Sequence, residues 1–304
     1  MSGSNPIPRR RALALLGAGT FVSTAVRSAC AAGDKDDAKP KVLFFSKSSG
    51  YEHDVVKRIG EGPSLSEATL TAIGRTNGFD VIATKDGRFF DGDLAQYDAF
   101  FFFTTGNLTE AGTDGNPPMT ERGKEALLEA ILDGKGFLGV HSASDTFHSQ
   151  GGRFQTQNQP DPYIAMLGGE FLGHGSQQEA LVKVADAKFP GLQGLRENFT
   201  AIEEWYSLKN FAKDICVLLV LETGGMHDPD YRRPPFPLAW ARKEGKGHVY
   251  FNAMGHREDI WRDQRFHRML AGAVAWATGR AEAQLSENLS EMTPQAWVLP
   301  PEHD

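Results

Sequence analysis

"FLGVHSASDTFH", residues 137 to 148, decides how the rest of the chain is read. A short apolar run ends in a turn of small residues with His141 at its tip. Gly139-x-His141-x-Ala143 has the spacing of a nucleophile elbow, in which a strained strand-to-helix turn pushes one side chain into a cleft. Histidine is a poor nucleophile, and Ser142 stands one position late. The turn therefore presents an imidazole, as metal ligand or acid/base, rather than an attacking hydroxyl.

Upstream of the turn, "TERGKEALLEAILDGKG" (120–136) predicts a helix. Thr120 caps it, acids occupy its first turn, Leu127, Leu128, Ile131 and Leu132 form one face, and Gly134 ends it. Further back, "VLFFS", "FDVIAT" and "DAFFFFTT" are short apolar runs bounded by turn formers, as buried parallel strands are. Between the first two, Ser64 and Glu67 form a capping box for a helix that stops at Asn77-Gly78. Strands alternating with helices predict an α/β fold with a parallel sheet.

Downstream the pattern is less regular. "EALVKV", "ICVLLVLE", "FPLAWAR" and "HVYFNAM" read as strands, the last two joined as a hairpin through "KEGKG". A last helix, "DQRFHRMLAGAVAWATG", turns Phe266, Met269, Leu270 and Ala273 inward, and residues 280–304 read as a loosely attached tail.

The amino terminus differs from the rest. Arg9, Arg10 and Arg11 precede a weak apolar run and then small residues, so residues 1–31 read as a twin-arginine-type signal peptide, with 32–40 a flexible lead-in to a domain over 41–279. The expected location is periplasmic or exported, with no stable membrane insertion. That leader holds four arginines and no acid, and its removal takes the formal charge from −7 to −11. So acidic a chain, without a basic stripe, is not expected to bind nucleic acid. Two cysteines, Cys30 and Cys216, supply neither a disulfide framework nor a thiolate metal site.

Ligand sites in open parallel sheets lie beyond the carboxyl ends of the strands. Four histidines stand there, each near a glycine: His53, His141, His174 and His256. Glu203 and Glu204 precede Trp205 and Tyr206 at another strand end. Neutral imidazoles with a carboxylate suit a divalent ion, zinc foremost, but also general acid–base work or sugar hydroxyls. His141, His174 and His256 are the candidate metal ligands, and His141, Glu204 and His53 the candidate catalytic groups. Trp205, Tyr206 and Asp145 are candidates for substrate binding, and Trp240 a further stacking surface. No nucleotide cofactor is expected.

The stretches "VLFFSKSSGYEHD", "LLEAILDGKGFLGVHSASDT", "LGGEFLGHGSQQEALVKV", "EEWYSL" and "PLAWARKEGKGHVYFNAMGHREDIW", taken in order, resemble the ThuA-like family, named for trehalose utilisation. The resemblance spans about residues 41–278. It implies a class I glutamine amidotransferase-like fold, a flavodoxin-like three-layer sandwich with a mostly parallel sheet, lacking the amidotransferase cysteine. It also implies a role in sugar catabolism through 3-keto intermediates, with His53, His141, His174, Glu204 and His256 as site residues. Family members often carry His-Pro where this chain has Phe189-Pro190. The expected function is an exported enzyme acting on a sugar or 3-keto-glycoside. The alternatives are a non-catalytic carbohydrate-binding or scaffold module and a metal-dependent hydrolase of another substrate class.

Overall fold

The first strand, β1 (Lys41–Phe45), is buried at all but its first residue, and its neighbours β2 (Asp80–Thr84), β3 (Ala99–Phe102) and β4 (Gly136–Val140) run parallel to it or to one another. Four phenylalanines, Phe100 to Phe103, are buried on both faces of the sheet, the pattern of a strand covered on two sides. The computed structural model describes residues 38–195 and 198–303. The leader reading of residues 1–31 lies outside the described residues.

The nine-stranded sheet has the order β2-β1-β3-β4-β11-β10-β9-β6-β7. Its further strands are β6 (Gln178–Val184), β7 (Phe199–Glu203), β9 (Cys216–Glu222), β10 (Phe236–Glu244) and β11 (Gly247–Asn252). Pairing is parallel from β2 as far as β11 and antiparallel from there to β7. The sheet is thus mixed, its parallel half formed by β2, β1, β3, β4 and β11. The β10–β11 hairpin is where the pairing changes from parallel to antiparallel. A two-stranded antiparallel sheet joins β5 (Glu170–His174) to β8 (Tyr206–Lys209).

The helices follow their local signals. α1 (Leu65–Asn77) carries the complete Ser64/Glu67 capping box and ends on Gly78 at φ 76°, the left-handed conformation that costs glycine least. In α2 (Glu121–Leu132) Thr120 Oγ1 accepts from the Gly123 N–H, and Leu127 and Ile131 are buried. Leu132, expected on the same face, is 46% exposed. It is the last helical residue, so no further turn follows to carry that face against the sheet. α3 (Pro162–Leu167) packs on α2, while α4 (Glu258–Arg262) and α5 (Gln264–Ala277) pack on α1 and on each other. α5 buries Phe266, Met269, Leu270 and Ala273 as its periodicity predicts.

Residues 280–303 are docked rather than loose. α6 (Leu289–Met292) buries Leu289, and Asn288 at its start pairs with both backbone groups of Val217 in β9. The buried guanidinium of Arg233 donates to Ala296 O at 2.7 Å. A polar composition concealed this anchoring, because it runs through backbone groups that any sequence possesses. Among the described residues no helix is long and apolar enough to cross a membrane.

Candidate functional site

His141 follows β4 directly and opens a 3-10 turn, His141–Ser144, with φ 44°. A left-handed backbone at a non-glycine residue costs on the order of 1–3 kcal/mol and clusters at functional sites. The spacing of the elbow has a steric cause: a Cβ on Gly139 would come within 3.0 Å of Ala143 Cβ and 3.1 Å of Leu167 Cδ1. Ser142 is fully buried and makes no hydrogen bond through its hydroxyl, so it presents no nucleophile to a cleft.

Three parallel strands deliver three imidazoles to one place. His141 leaves β4, His53 follows β1, and His256 follows β11 after the Gly255 turn at φ 124°. Their ring centroids lie 4.9 Å (His53–His141), 5.2 Å (His53–His256) and 5.3 Å (His141–His256) apart. The antiparallel half supplies the carboxylate, since Glu204 occupies the link between β7 and β8. His53, His141, Glu204 and His256 each offer one ligand atom, and those atoms all lie within 4.8 Å of one another.

Glu204 Oε2 is the centre of this group, 3.0 Å from His256 Nδ1 and 3.5 Å from His141 Nε2. Neither nitrogen completes a well-formed hydrogen bond. The other nitrogen of His141, Nδ1, stands 3.0 Å from Ala253 O. A carbonyl only accepts, so Nδ1 carries the proton and Nε2 turns its lone pair inward. His256 Nε2 meets the side-chain amide of Gln177 at 3.0 Å, and its backbone N–H donates to Glu203 Oε1 at 2.7 Å.

Burial and charge set the protonation states. Burial holds His53 well below its ordinary value, reinforced by the neighbouring His141 and His256. Burial likewise lowers His141 against the opposing pull of Glu204. For Glu204, burial alone would raise the carboxyl, but His141 and His256 outweigh it and keep the group far below the usual carboxylate range. Glu203 lacks such partners, and burial pushes it up to about 8 despite backbone N–H donors.

His174 stands beside this group rather than within it. Its Nδ1 is 3.5 Å from Glu204 Oε1, whereas His141 and His256 meet Oε2, and its side chain is 41% exposed. The structure thus brings His53 together with His141, Glu204 and His256, where the sequence reading had His174 among the ligands. Position at a strand's end did not distinguish the two, because His174 ends the small sheet's β5 and is exposed, whereas His53, in the segment after β1, is buried.

Tyr206 packs against the cluster, its ring 4.0 Å from His141 and its hydroxyl 3.5 Å from His53 Nε2. It is almost wholly buried, so it supports the histidines and offers no open face. Trp205 and Trp240 are fully buried, donating to Gln178 O and Leu167 O. The expectation that they stack on sugars is therefore corrected: both are core residues. Asp145 belongs to a neighbouring network, in which His148 bridges Asp145 Oδ1 at 2.6 Å and Glu170 Oε1 at 3.2 Å. Cys216 is buried and free, as expected. The sequence reading missed Gln177 and the structural part of Glu203, whose signal was two adjacent carboxyls where a strand ends.

Together, fold and site define an α/β protein with three histidines and one carboxylate gathered beyond the carboxyl ends of parallel strands. The family model ThuA, described as trehalose utilisation, matches residues 41–277, and the chain belongs to this family. Membership implies a role in carbohydrate metabolism. Two solved ThuA-like proteins share the fold. The one from Bacteroides uniformis is 20% identical with a TM-score of 0.58, covering 81% of this chain and 94% of its own. The one from Parabacteroides merdae is 17% identical with a TM-score of 0.58, covering 82% and 93%. No curated protein matches the chain.

Proposed function

We propose that the chain is exported and acts as an enzyme of carbohydrate catabolism, on a sugar or 3-keto-glycoside, with its chemistry at His53, His141, Glu204 and His256. The observation that carries this reading is the gathering of three imidazoles and one ionised carboxylate, two of the imidazoles on the same carboxylate oxygen. The family's trehalose description supplies the substrate class. We place the chemistry on a flavodoxin-like three-layer sandwich of the class I glutamine amidotransferase-like type. The packing of α1, α4 and α5 together, and of α2 with α3, supports two separate helical layers.

The donor set fits a divalent cation, zinc foremost. His141 Nε2, buried with its lone pair turned inward, two further imidazoles and a carboxylate are the nitrogen and oxygen ligands zinc takes. Bound there, such an ion would polarise a carbonyl or hydroxyl oxygen of the substrate. His141 offers Nε2 because Ala253 O fixes its tautomer. Glu204 stays ionised and can receive a proton. Export rests on the arginine-led leader of residues 1–31.

Purified protein incubated with trehalose and with 3-keto-glycosides, followed by NMR, tests the reading. Turnover of one of them that falls at least about a hundredfold in Glu204→Gln, the loss expected for an acid–base group, supports it. Turnover unaffected by Glu204→Gln or His141→Ala contradicts it.

A further inference from the structure

Beside His256 the surface opens into a cleft of about 370 Å³, bordered by Tyr51, Asp54, Gln177, His256, Arg257 and Asp259. That volume lies at the lower end of the range for small-molecule sites, about 300–1,000 Å³. Tyr51 is the unusual member. Its side chain is 65% exposed, yet its ring sits edge-on to His53 at 4.9 Å. An exposed aromatic one ring away from the central group is ready to receive a ligand whose reacting end reaches the histidines.

The platform is held in place by its backbone. Thr105 Oγ1 donates to Tyr51 O at 2.9 Å, the Ser49 and Gly50 N–H groups donate to Thr105 O, and Thr113 Oγ1 donates to Gly50 O. Little conformational freedom is then left for a ligand to remove. On the opposite wall Arg257 Nη1 donates to Gln177 Oε1 at 2.7 Å, and the Gln177 amide nitrogen lies 3.0 Å from His256 Nε2. Gln177 therefore links the cleft wall to the centre.

The charge of the lining selects the ligand. Arg257 is held by Asp259 and Arg262 by Glu258. With Asp54 added, the lining has three carboxylates against two guanidinium groups. A phosphate or carboxylate would find no free cation here, whereas hydroxyl groups can use paired carboxylates, amide and guanidinium edges alike.

We propose that this cleft is the subsite for an uncharged, hydroxyl-rich ligand, a neutral mono- or disaccharide, with Tyr51 as its aromatic platform and a determinant of specificity. This deepens the proposed function and rests on its carbohydrate reading. Calorimetric titration of the full chain with trehalose, methyl α-glucoside, glucose 6-phosphate and glucuronate is the test, run on wild type, Tyr51→Ala and Tyr51→Phe. The expected result is binding of a neutral probe in preference to both anions, weakened about tenfold or more in Tyr51→Ala, as for a central aromatic contact, and retained in Tyr51→Phe. The exposed position of Tyr51 should leave the thermal midpoint of both variants unchanged. Neutral-sugar binding that ignores Tyr51→Ala, or anions bound more tightly, overturns the subsite and leaves the carbohydrate reading standing. Failure of every probe to bind wild type overturns both.

Discussion

His141 Nε2 lies 3.5 Å from Glu204 Oε2, although one residue ends a parallel strand and the other links the antiparallel edge to a separate small sheet. The contact therefore ties the two halves of the mixed sheet together at the site. His256 Nδ1 approaches the same oxygen at 3.0 Å, so one carboxylate organises two imidazoles from neighbouring strands.

The backbone at His141 yields a stability prediction. At φ 44° a side chain is strained and glycine is not. His141→Gly should be more stable than His141→Ala by about 1 kcal/mol, although both lose the ligand atom. Urea unfolding of the two variants checks this. A more stable alanine variant would mean that the turn stores no strain.

The His148 network sets a pH dependence. Hydrogen bonds to Asp145 and Glu170 raise His148 to about 9 from an ordinary 6.5. Because the folded value is the higher, its stabilisation is complete below about 6.5 and disappears as pH rises through about 9. The thermal midpoint of wild type should therefore exceed that of His148→Ala most at pH 6, the gap closing by pH 9.5. A constant gap across this range would refute the network's charge.

Helix α2 offers an internal contrast. Leu127 is fully buried and Leu132 is 46% exposed. Leu127→Ala should cost about 2–5 kcal/mol, and Leu132→Gln about 0.5 kcal/mol or less. Chemical denaturation measures both, and comparable losses would contradict the packing described.

The docked carboxyl-terminal segment predicts a loss on cutting its tie to β9. Asn288 satisfies the N–H and C=O of Val217, so Asn288→Ala should destabilise by about 1–3 kcal/mol. It should also raise protease sensitivity beyond residue 280. An unchanged midpoint and cleavage pattern would show that the segment contributes nothing.

What could be read from the sequence was what is decided locally. The Ser64/Glu67 box, the Thr120 cap, the apolar runs of β1, β3 and β4, and the Gly139-His141-Ala143 turn each depend on residues a few positions apart. The α/β class and the placement of His141 on a strained turn beyond a strand followed from them. The β5–β8 pair was missed because "EFLGH" and "YSLK" are short, mixed in polarity and paired across distant sequence. The fates of Trp205 and Trp240 depend on what covers them, which composition cannot show. Selecting His53 over His174 required knowing which histidines gather within reach of Glu204, and that is fixed only when the antiparallel half folds against the parallel one.

The most direct test of the central claim is the metal content of the full chain purified without chelator or affinity tag, by elemental mass spectrometry, with His141→Ala, His256→Ala and His174→Ala alongside. Near-stoichiometric divalent metal is expected in wild type, lost in the first two variants and retained in His174→Ala, since His174 stands outside the group. No metal in wild type, even after loading with zinc or manganese, or retention in His141→Ala, would contradict a cation site at Glu204.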